Sequence, residues 1–517
     1  MKPRAKRRAT ALLALVSTIA ALALIEGAAR IYLRVSPGRA AAPDWDADSI
    51  VPPPAEPGAF RIFVYGGSTA AGTPLVEYSF ARQLEFWLHR LAPQRAFQIV
   101  NYAAPGKPTE FARLELERTI GGQPDLVIVH SLHNEFLGWH APSPSQRLRQ
   151  ELRRWLDATA TARAMRRLFG EVASAGRGLR ANPRLPARIH PEDPESHHFR
   201  ARVAAFERET RAIAALARAR GVPLIFAIDS ANLSDWPPAW RFVRDEHYER
   251  GISQVRALIA SGRLAAADGA IAAMGAEHPG DAMLTWLGGR LAMARRDFPR
   301  ARAAFDAARD ADPVPWRGLS RFNEHLRAIA RDGDALLADG DAAFRHEAPA
   351  GLVGFALVAD NCHPTPFGNA LLAREILREM ARAKLAIASL DGLPPLAEQV
   401  QVFVREAQRA RPDAELAYLK ANAVYAMKGP FYNFEASADY LERARAIAPD
   451  DWAVEANRAT LAVLAGDVAE GRDRMDRASA LRGAPFDLGD RSATPYLREA
   501  LAILSGEIER YAPDAGR

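Results

Sequence analysis

Along the chain, short apolar runs bounded by Gly, Pro or Asp alternate with stretches of helical periodicity. The runs cover residues 61–65, 97–101, 125–130, 223–228 and, more weakly, 335–338. Strands separated by helices predict a parallel sheet, since each parallel pair needs a long crossover. After the first run, Phe80, Leu84, Trp87, Leu88 and Leu91 form one apolar stripe and predict a helix that faces the core. Residues 147–169 carry Leu148, Leu152, Trp155, Leu156, Met165, Leu168 and Phe169 on one side and many arginines on the other. Two readings stand for this helix: packing on the sheet with solvated arginines, or capping a pocket or lying on a membrane.

A second pattern recurs at 34 residues. Ala267 and Pro279 are followed at that interval by Ala301 and Pro313, and Gly289, Ala301, Phe305, Ala308 and Pro313 complete the second copy. This spacing resembles tetratricopeptide repeats, in which small residues let paired helices approach, an aromatic ring fills the gap and a proline stops the second helix. Further copies are expected at the end of the chain, where Ala407 and Pro412 are echoed by Ala444 and Pro449 at a spacing of 37, followed by residues 452–481.

With 517 residues, 49% of them hydrophobic and 25% charged, the chain is an ordinary globular protein of several domains, not a disordered, collagen-like or polytopic membrane protein. Its net charge of +6 is local. Lys2, Arg4, Lys6, Arg7, Arg8, Arg30 and Arg34, with Glu26 the one acid, lie in the first 34 residues, and the remainder holds 61 basic and 61 acidic side chains. A neutral body implies no nucleic-acid partner. The basic cluster precedes an uncharged run over residues 9–25, which predicts a retained signal-anchor, with a cleaved signal and a buried soluble helix as the alternatives. Charge asymmetry puts the N-terminus inside and the body outside, on the periplasmic face of a bacterial inner membrane. Six prolines in residues 35–60 predict a stiff spacer. The single Cys362 excludes an intramolecular disulfide and reads as a small packed residue, or as a reactive thiol beside His363. His190, His197 and His198 lack the surrounding ligands of a metal site.

Candidate chemistry gathers where strands end. Ser68 follows the first strand in Tyr65-Gly66-Gly67-Ser68-Thr69, a turn that exposes a hydroxyl or, alternatively, supplies a helix N-cap. With Ala70 in place of the second glycine, the G-x-S-x-G elbow is absent. Gly106 follows the second strand and Asn134 the third. Each reads singly as a turn former, and together with the Ser68 N–H they can form an oxyanion hole. Asp360 stands three residues before His363, a spacing that lets the carboxylate hold Nδ1–H while Nε2 faces Ser68.

In this order the blocks resemble the SGNH/GDSL hydrolase superfamily over residues 60–135, 200–240 and 318–385. The resemblance implies Ser68 as nucleophile, Asp360 and His363 as its catalytic partners, and Ser68, Gly106 and Asn134 as oxyanion donors. Residues 232–238, Asn-Leu-Ser-Asp-Trp-Pro-Pro, look like a segment of bacterial members that also carry repeats and an anchor. Two departures stand out: Gly67 replaces the aspartate of the G-D-S motif, and Leu132 replaces the glycine two before the asparagine.

The expectation is therefore an α/β protein: a three-layer α/β/α flavodoxin-like domain with a parallel sheet, bearing α-helical repeats. Residues 1–34 form the anchor, 35–59 the spacer, 60–240 and 318–388 the hydrolase domain with a helical insertion at about 141–200, 241–317 the inserted repeats and 389–517 the C-terminal repeats. The expected function is a membrane-anchored esterase acting on an acyl or acetyl ester, by analogy that of an envelope polysaccharide. An O-acyltransferase and a repeat-based scaffold with an inactive fold are the alternatives. No cofactor or metal is required, a protein partner can dock on the repeats, and the insertion is expected to rim the site.

Overall fold

A computed structural model describes residues 23–31, 55–137, 161, 193–194, 196–238, 246–427, 433–486 and 495–505. Most of the uncharged N-terminal run, most of the spacer and almost all of the basic amphipathic stretch lie outside the described residues. The chain divides into two compact units, residues 1–52 with 140–181 and residues 53–139 with 182–517. In the first, a helix covers residues 23–31, and Glu26 accepts from the Thr161 N–H (2.9 Å) and hydroxyl (2.8 Å). No described helix is long and apolar enough to cross a membrane.

The second unit is mostly helical around one parallel sheet. Its strands are β1 (Phe60–Gly66), β2 (Phe97–Asn101), β3 (Leu126–His130), β4 (Leu224–Ile228) and β5 (Leu336–Asp339), in the spatial order β2-β1-β3-β4-β5. Each lies within one residue at either end of the apolar run that predicts it. Strands β1, β3 and β4 are buried throughout, as strands covered on both faces must be, whereas β5 is a half-buried edge. Pairing of Gly66 with His130, and of Ile228 with Asp339, brings the carboxyl ends into line. Order reverses between β1 and β3, the kind of point where open parallel sheets carry their sites.

Alternation along β1 divides the layers. Ile62 and Val64 join Leu126, Ile128, Ile225 and Ala227 in a core covered by two helices, one at Phe80–Leu91 and another at Pro366–Arg382. The predicted stripe of the first is buried at Phe80, Leu84, Trp87 and Leu88, with Leu91 at its margin. On the opposite face, Tyr65 stacks on Tyr102 at 5.2 Å and bonds Thr119, and Phe206 stacks on Phe322 at 4.1 Å.

In chain order the described helices of the second unit are α1 (Ser68–Ala71), α2 (Phe80–Leu91), α3 (Thr109–Thr119), α4 (His197–Ala219), α5 (Glu246–Ala260), α6 (Leu264–Glu277), α7 (Ala282–Ala294), α8 (Phe298–Asp310), α9 (Ser320–Arg331), α10 (Gly340–Glu347) and α11 (Pro366–Arg382). They are followed by α12 (Leu396–Ala410), α13 (Ala414–Ala426), α14 (Phe434–Ile447), α15 (Trp452–Ala465), α16 (Val468–Arg482) and α17 (Pro495–Ser505).

Helices α5–α8 fall between β4 and β5, and α12–α17 follow the sheet. Short Asx caps start many of them: Asp281 accepts from Leu284 N–H at 2.8 Å, Asp297 from Arg300 N–H, Asn433 from Ala436 N–H and Asp451 from Val454 N–H. At Gly289 an added Cβ would lie 2.7 Å from the Phe305 ring, so the small residue admits the aromatic and lets α7 and α8 close on each other. Ala301 and Ala308 are buried in the same cluster as Phe305, and Ala267 is buried in a neighbouring one with Leu258 and Leu291.

Candidate active site

Strand β1 delivers Ser68 to the sheet's carboxyl edge. Its side chain caps no helix: Gly67 is the N-cap and Ser68 is the first residue of α1. The hydroxyl lies 2.7 Å from His363 Nε2, although 295 residues separate the two in sequence. His363 Nδ1 lies 2.6 Å from Asp360 Oδ2. A carboxylate only accepts, so Nδ1 carries the ring proton, Nε2 of the neutral imidazole is left as acceptor, and the Ser68 O–H donates to it. Asp360 does more than hold the ring. Its Oδ1 accepts from the N–H groups of Cys362 (2.9 Å) and His363 (2.8 Å), so one carboxylate both folds the loop and fixes the tautomer. Burial alone would push this carboxyl up, but the His363 ring and those donors outweigh it and hold the Asp360 carboxyl below its ordinary range. Ser68 is 7% exposed and His363 3%.

The loops after β2 and β3 meet beside Ser68. Gly106 takes φ +72°, a left-handed turn that favours glycine. Asn134 donates from Nδ2 to the Lys107 carbonyl at 3.1 Å, which leaves its second amide hydrogen for another acceptor. That nitrogen also packs against Gly67, where an added Cβ would stand 2.3 Å away. The departure from the G-D-S motif thus has a local consequence: with Asn134 in this position, residue 67 has room for glycine alone. Ser68, Gly106 and Asn134 are all brought to one edge, and Cys362 is buried in the His363 loop.

Several residues around this edge are missed by pattern reading. Glu135 accepts from the Thr109 hydroxyl at 2.8 Å and the Thr109 N–H at 3.0 Å, tying the loop of Gly106 to that of Asn134. Burial is the main cause that pushes its carboxyl up to about 7, against the lowering effect of the Thr109 donors. His133 accepts the Gly318 N–H at Nδ1 (2.8 Å), so its Nε2 carries the proton and donates to Asp229 at 2.9 Å. Burial lowers the His133 pKa and keeps the ring neutral. Ligand atoms of His130, His133 and Asp229 lie within 4.8 Å of one another, as do those of Asp360, Cys362 and His363. Neither set has the form of a metal site. A histidine that ligates through one nitrogen donates from the other; with Nε2 on a metal, His133 would be left accepting from Gly318 at Nδ1, and His363 already spends both nitrogens on Asp360 and Ser68.

Arg317, fully buried, joins three segments. It donates to the carbonyls of Asn232 (3.1 Å) and Trp236 (2.9 Å) and pairs with Asp312 (2.8 Å), while Asn232 Nδ2 donates to Val358 O at 3.1 Å, next to the loop of Asp360 and His363. The Asn-Leu-Ser-Asp-Trp sequence was thus a legible signal for a support of the histidine loop. Nothing in the spacing of His133, Asp229 or Arg317 announces their partners.

No family model and no curated protein matches the chain. A solved structure, that of LAE5, an alpha/beta hydrolase enzyme from the metagenome of Lake Arreo, Spain, is similar at 12% identity and a TM-score of 0.29, covering 62% of this chain and 94% of that one. At that score the likeness carries neither fold nor activity over to this chain.

Proposed function

We propose that the protein is a serine esterase of the SGNH/GDSL type, with a flavodoxin-like α/β/α domain and tetratricopeptide-like helices. The observation that carries this reading is the Ser68–His363–Asp360 chain, with contacts of 2.7 and 2.6 Å assembled from distant parts of the sequence. In the first half-reaction His363 Nε2 takes the Ser68 proton while Oγ attacks the ester carbonyl carbon. The displaced π electrons become an oxyanion, which the Ser68 N–H, the Gly106 N–H and the Asn134 amide are disposed to receive. Collapse expels the alcohol, which leaves with the proton from His363. Water then repeats the sequence on the acyl-enzyme, releasing the acid and restoring Ser68.

Near-complete burial of Ser68 and His363 supports a second reading, transfer of the acyl group to a sugar hydroxyl that displaces water. Incubation of the full chain with short acyl esters, with and without a polyol acceptor, separates the two by product. Free acid alone marks an esterase, and acylated polyol marks a transferase. Absence of both products, with no difference between wild type and Ser68→Ala, would leave the scaffold reading. The anchor and the extracytoplasmic placement rest on the charge pattern of the first 34 residues. A reporter active only outside the cytoplasm, fused after residue 60, should be active.

A further inference from the structure

The loop that carries Asp360 and His363 is held from outside the α/β body. Within the loop, Ala359 N–H donates to His363 O at 2.8 Å, closing a turn around the two residues. From the sheet side, Asn232 N–H donates to Asn361 O at 3.1 Å. On the other flank stand α13 and α14. Tyr440 of α14 donates its hydroxyl to the Ala359 carbonyl at 2.7 Å, in a buried setting. Tyr425 of α13 sets its ring at 77° to that of His363, with centroids 5.0 Å apart. Tyr418, about two turns earlier on α13, meets Tyr78 at 5.6 Å in the segment that follows α1, and Arg411 pairs with Glu77 at 2.9 Å. Ala359, Tyr78, Leu75 and Trp236 therefore share one apolar cluster with the C-terminal helices.

From this contact set we infer that the C-terminal helices are part of the active centre, with Tyr425 and Tyr440 as positioning residues of the Asp360–His363 pair. The inference rests on the proposed serine-hydrolase chemistry and adds to it. In hydrolytic triads the histidine must keep Nε2 on the nucleophile while its ring gains a proton, so a loop that drifts loses rate before it loses structure. Asp360 folds the loop and restrains the imidazole from within, but it does not tie the loop as a whole to its surroundings. Tyr440 anchors the backbone one residue before Asp360. Tyr425 walls one side of the ring and limits the directions in which it can swing. Tyr440 acts through the Ala359 carbonyl and Tyr425 through the His363 ring, so their loss should lower the rate of the covalent step and leave the fraction of competent molecules unchanged.

The test uses the full chain and a fluorophosphonate probe, which Ser68 attacks with formation of an O–P bond and loss of fluoride while His363 accepts the serine proton. Tyr440→Phe removes one hydroxyl and should slow labelling at saturating probe by about tenfold; Tyr425→Ala should slow it by about a hundredfold, and Tyr425→Phe, which keeps the ring, should recover most of the rate. In each variant the final labelled fraction should equal that of wild type. Unchanged rates in Tyr440→Phe and Tyr425→Ala would overturn the inference, and so would a lower endpoint with an unchanged rate, which marks misfolding instead of misplacement. A second measurement does not depend on activity: the downfield proton of the His363–Asp360 hydrogen bond, identified by its loss in His363→Ala. It should shift or broaden in Tyr440→Phe. If wild type is never labelled, the hydrolase reading fails, and this resonance still decides the positioning: an identical signal in wild type and both variants overturns it.

Discussion

Helices α5–α8 and helices α12–α17 are built alike, from alanine-rich seams and Asx-capped starts, yet they hold different parts of the molecule. The inserted set grips the segment after β4: Trp286 Nε1 donates to Leu233 O at 2.9 Å, and Arg290 reaches Ser234 O and Asp235. The C-terminal set grips Ala359, the residue before Asp360, and the ring of His363. The insertion leaves the chain beside the site, which is why sequence order favours it as the rim. The tyrosines against the histidine loop come instead from helices that begin after the α/β body has ended. Continuity with a strand of the sheet therefore says where a helical region starts, and the apolar and hydroxyl-bearing residues on its faces say where it docks.

The strongest way to break the comparison is to remove the chemistry both regions surround. Ser68→Ala and His363→Ala should each abolish nearly all turnover, and the double variant should be scarcely slower, because members of a triad act as one unit. Independent, multiplicative losses in steady-state kinetics would sink the triad, and with it any difference between the two regions in their bearing on it.

Next come the groups on the sheet edge that neither helical region supplies. Asn134→Ala should lower kcat by roughly 10² to 10³ with KM little changed, the usual cost of an oxyanion donor. Gly67→Ala should fall in the same range, since its Cβ would stand 2.3 Å from the Asn134 amide nitrogen and displace it. In the double variant the losses should overlap, not multiply. A change confined to KM would make Asn134 a substrate-binding group instead.

A smaller contrast separates the two regions directly. Trp286→Phe deletes one buried donor to the Leu233 carbonyl and should cost about 1 kcal/mol of stability in urea unfolding, with kcat within about threefold of wild type. Tyr440→Phe deletes a comparable bond with the opposite outcome, a loss of rate. Equal effects on kcat would erase the distinction drawn between gripping a neighbouring segment and gripping the histidine loop.

How much of this was legible beforehand follows the range of each interaction. Strands β1, β3 and β4 announce themselves because a strand buried on both faces must be apolar along its length, and β5 is fainter because it is a half-buried edge. Ser68, Asp360 and His363 are readable because glycine turns and a three-residue carboxylate–histidine spacing are local. Gly289 is readable in the same way, as the gap in a repeating seam that Phe305 fills. Tyr425 and Tyr440 sit in ordinary helical positions, and their partners lie more than 60 residues away. Likewise, Asp229 and His133 are joined only when β3 and β4 pair. Such contacts are set by topology, which a one-dimensional pattern does not carry.

A contrast in stability and not in rate belongs to Glu135, on the sheet edge and outside the contacts described for either helical region. Its carboxyl, raised to about 7 chiefly by burial, keeps its proton in the folded protein after the unfolded chain has released it at about 4.5. Between those values the unfolded state binds fewer protons than the folded one, so this group makes stability fall as pH rises across the window and adds no further slope above it. Glu135→Gln has no proton to release there and can still accept from Thr109. Its urea midpoint should match wild type most closely near the acid end and exceed it by a growing margin toward pH 7. Tyr440→Phe and Trp286→Phe should each run parallel to wild type over the same range, since neither touches this bridge. If Glu135→Gln also runs parallel, the buried carboxyl is ionised throughout, and the loops of Gly106 and Asn134 are joined by a charge rather than by a neutral hydrogen-bonded acid.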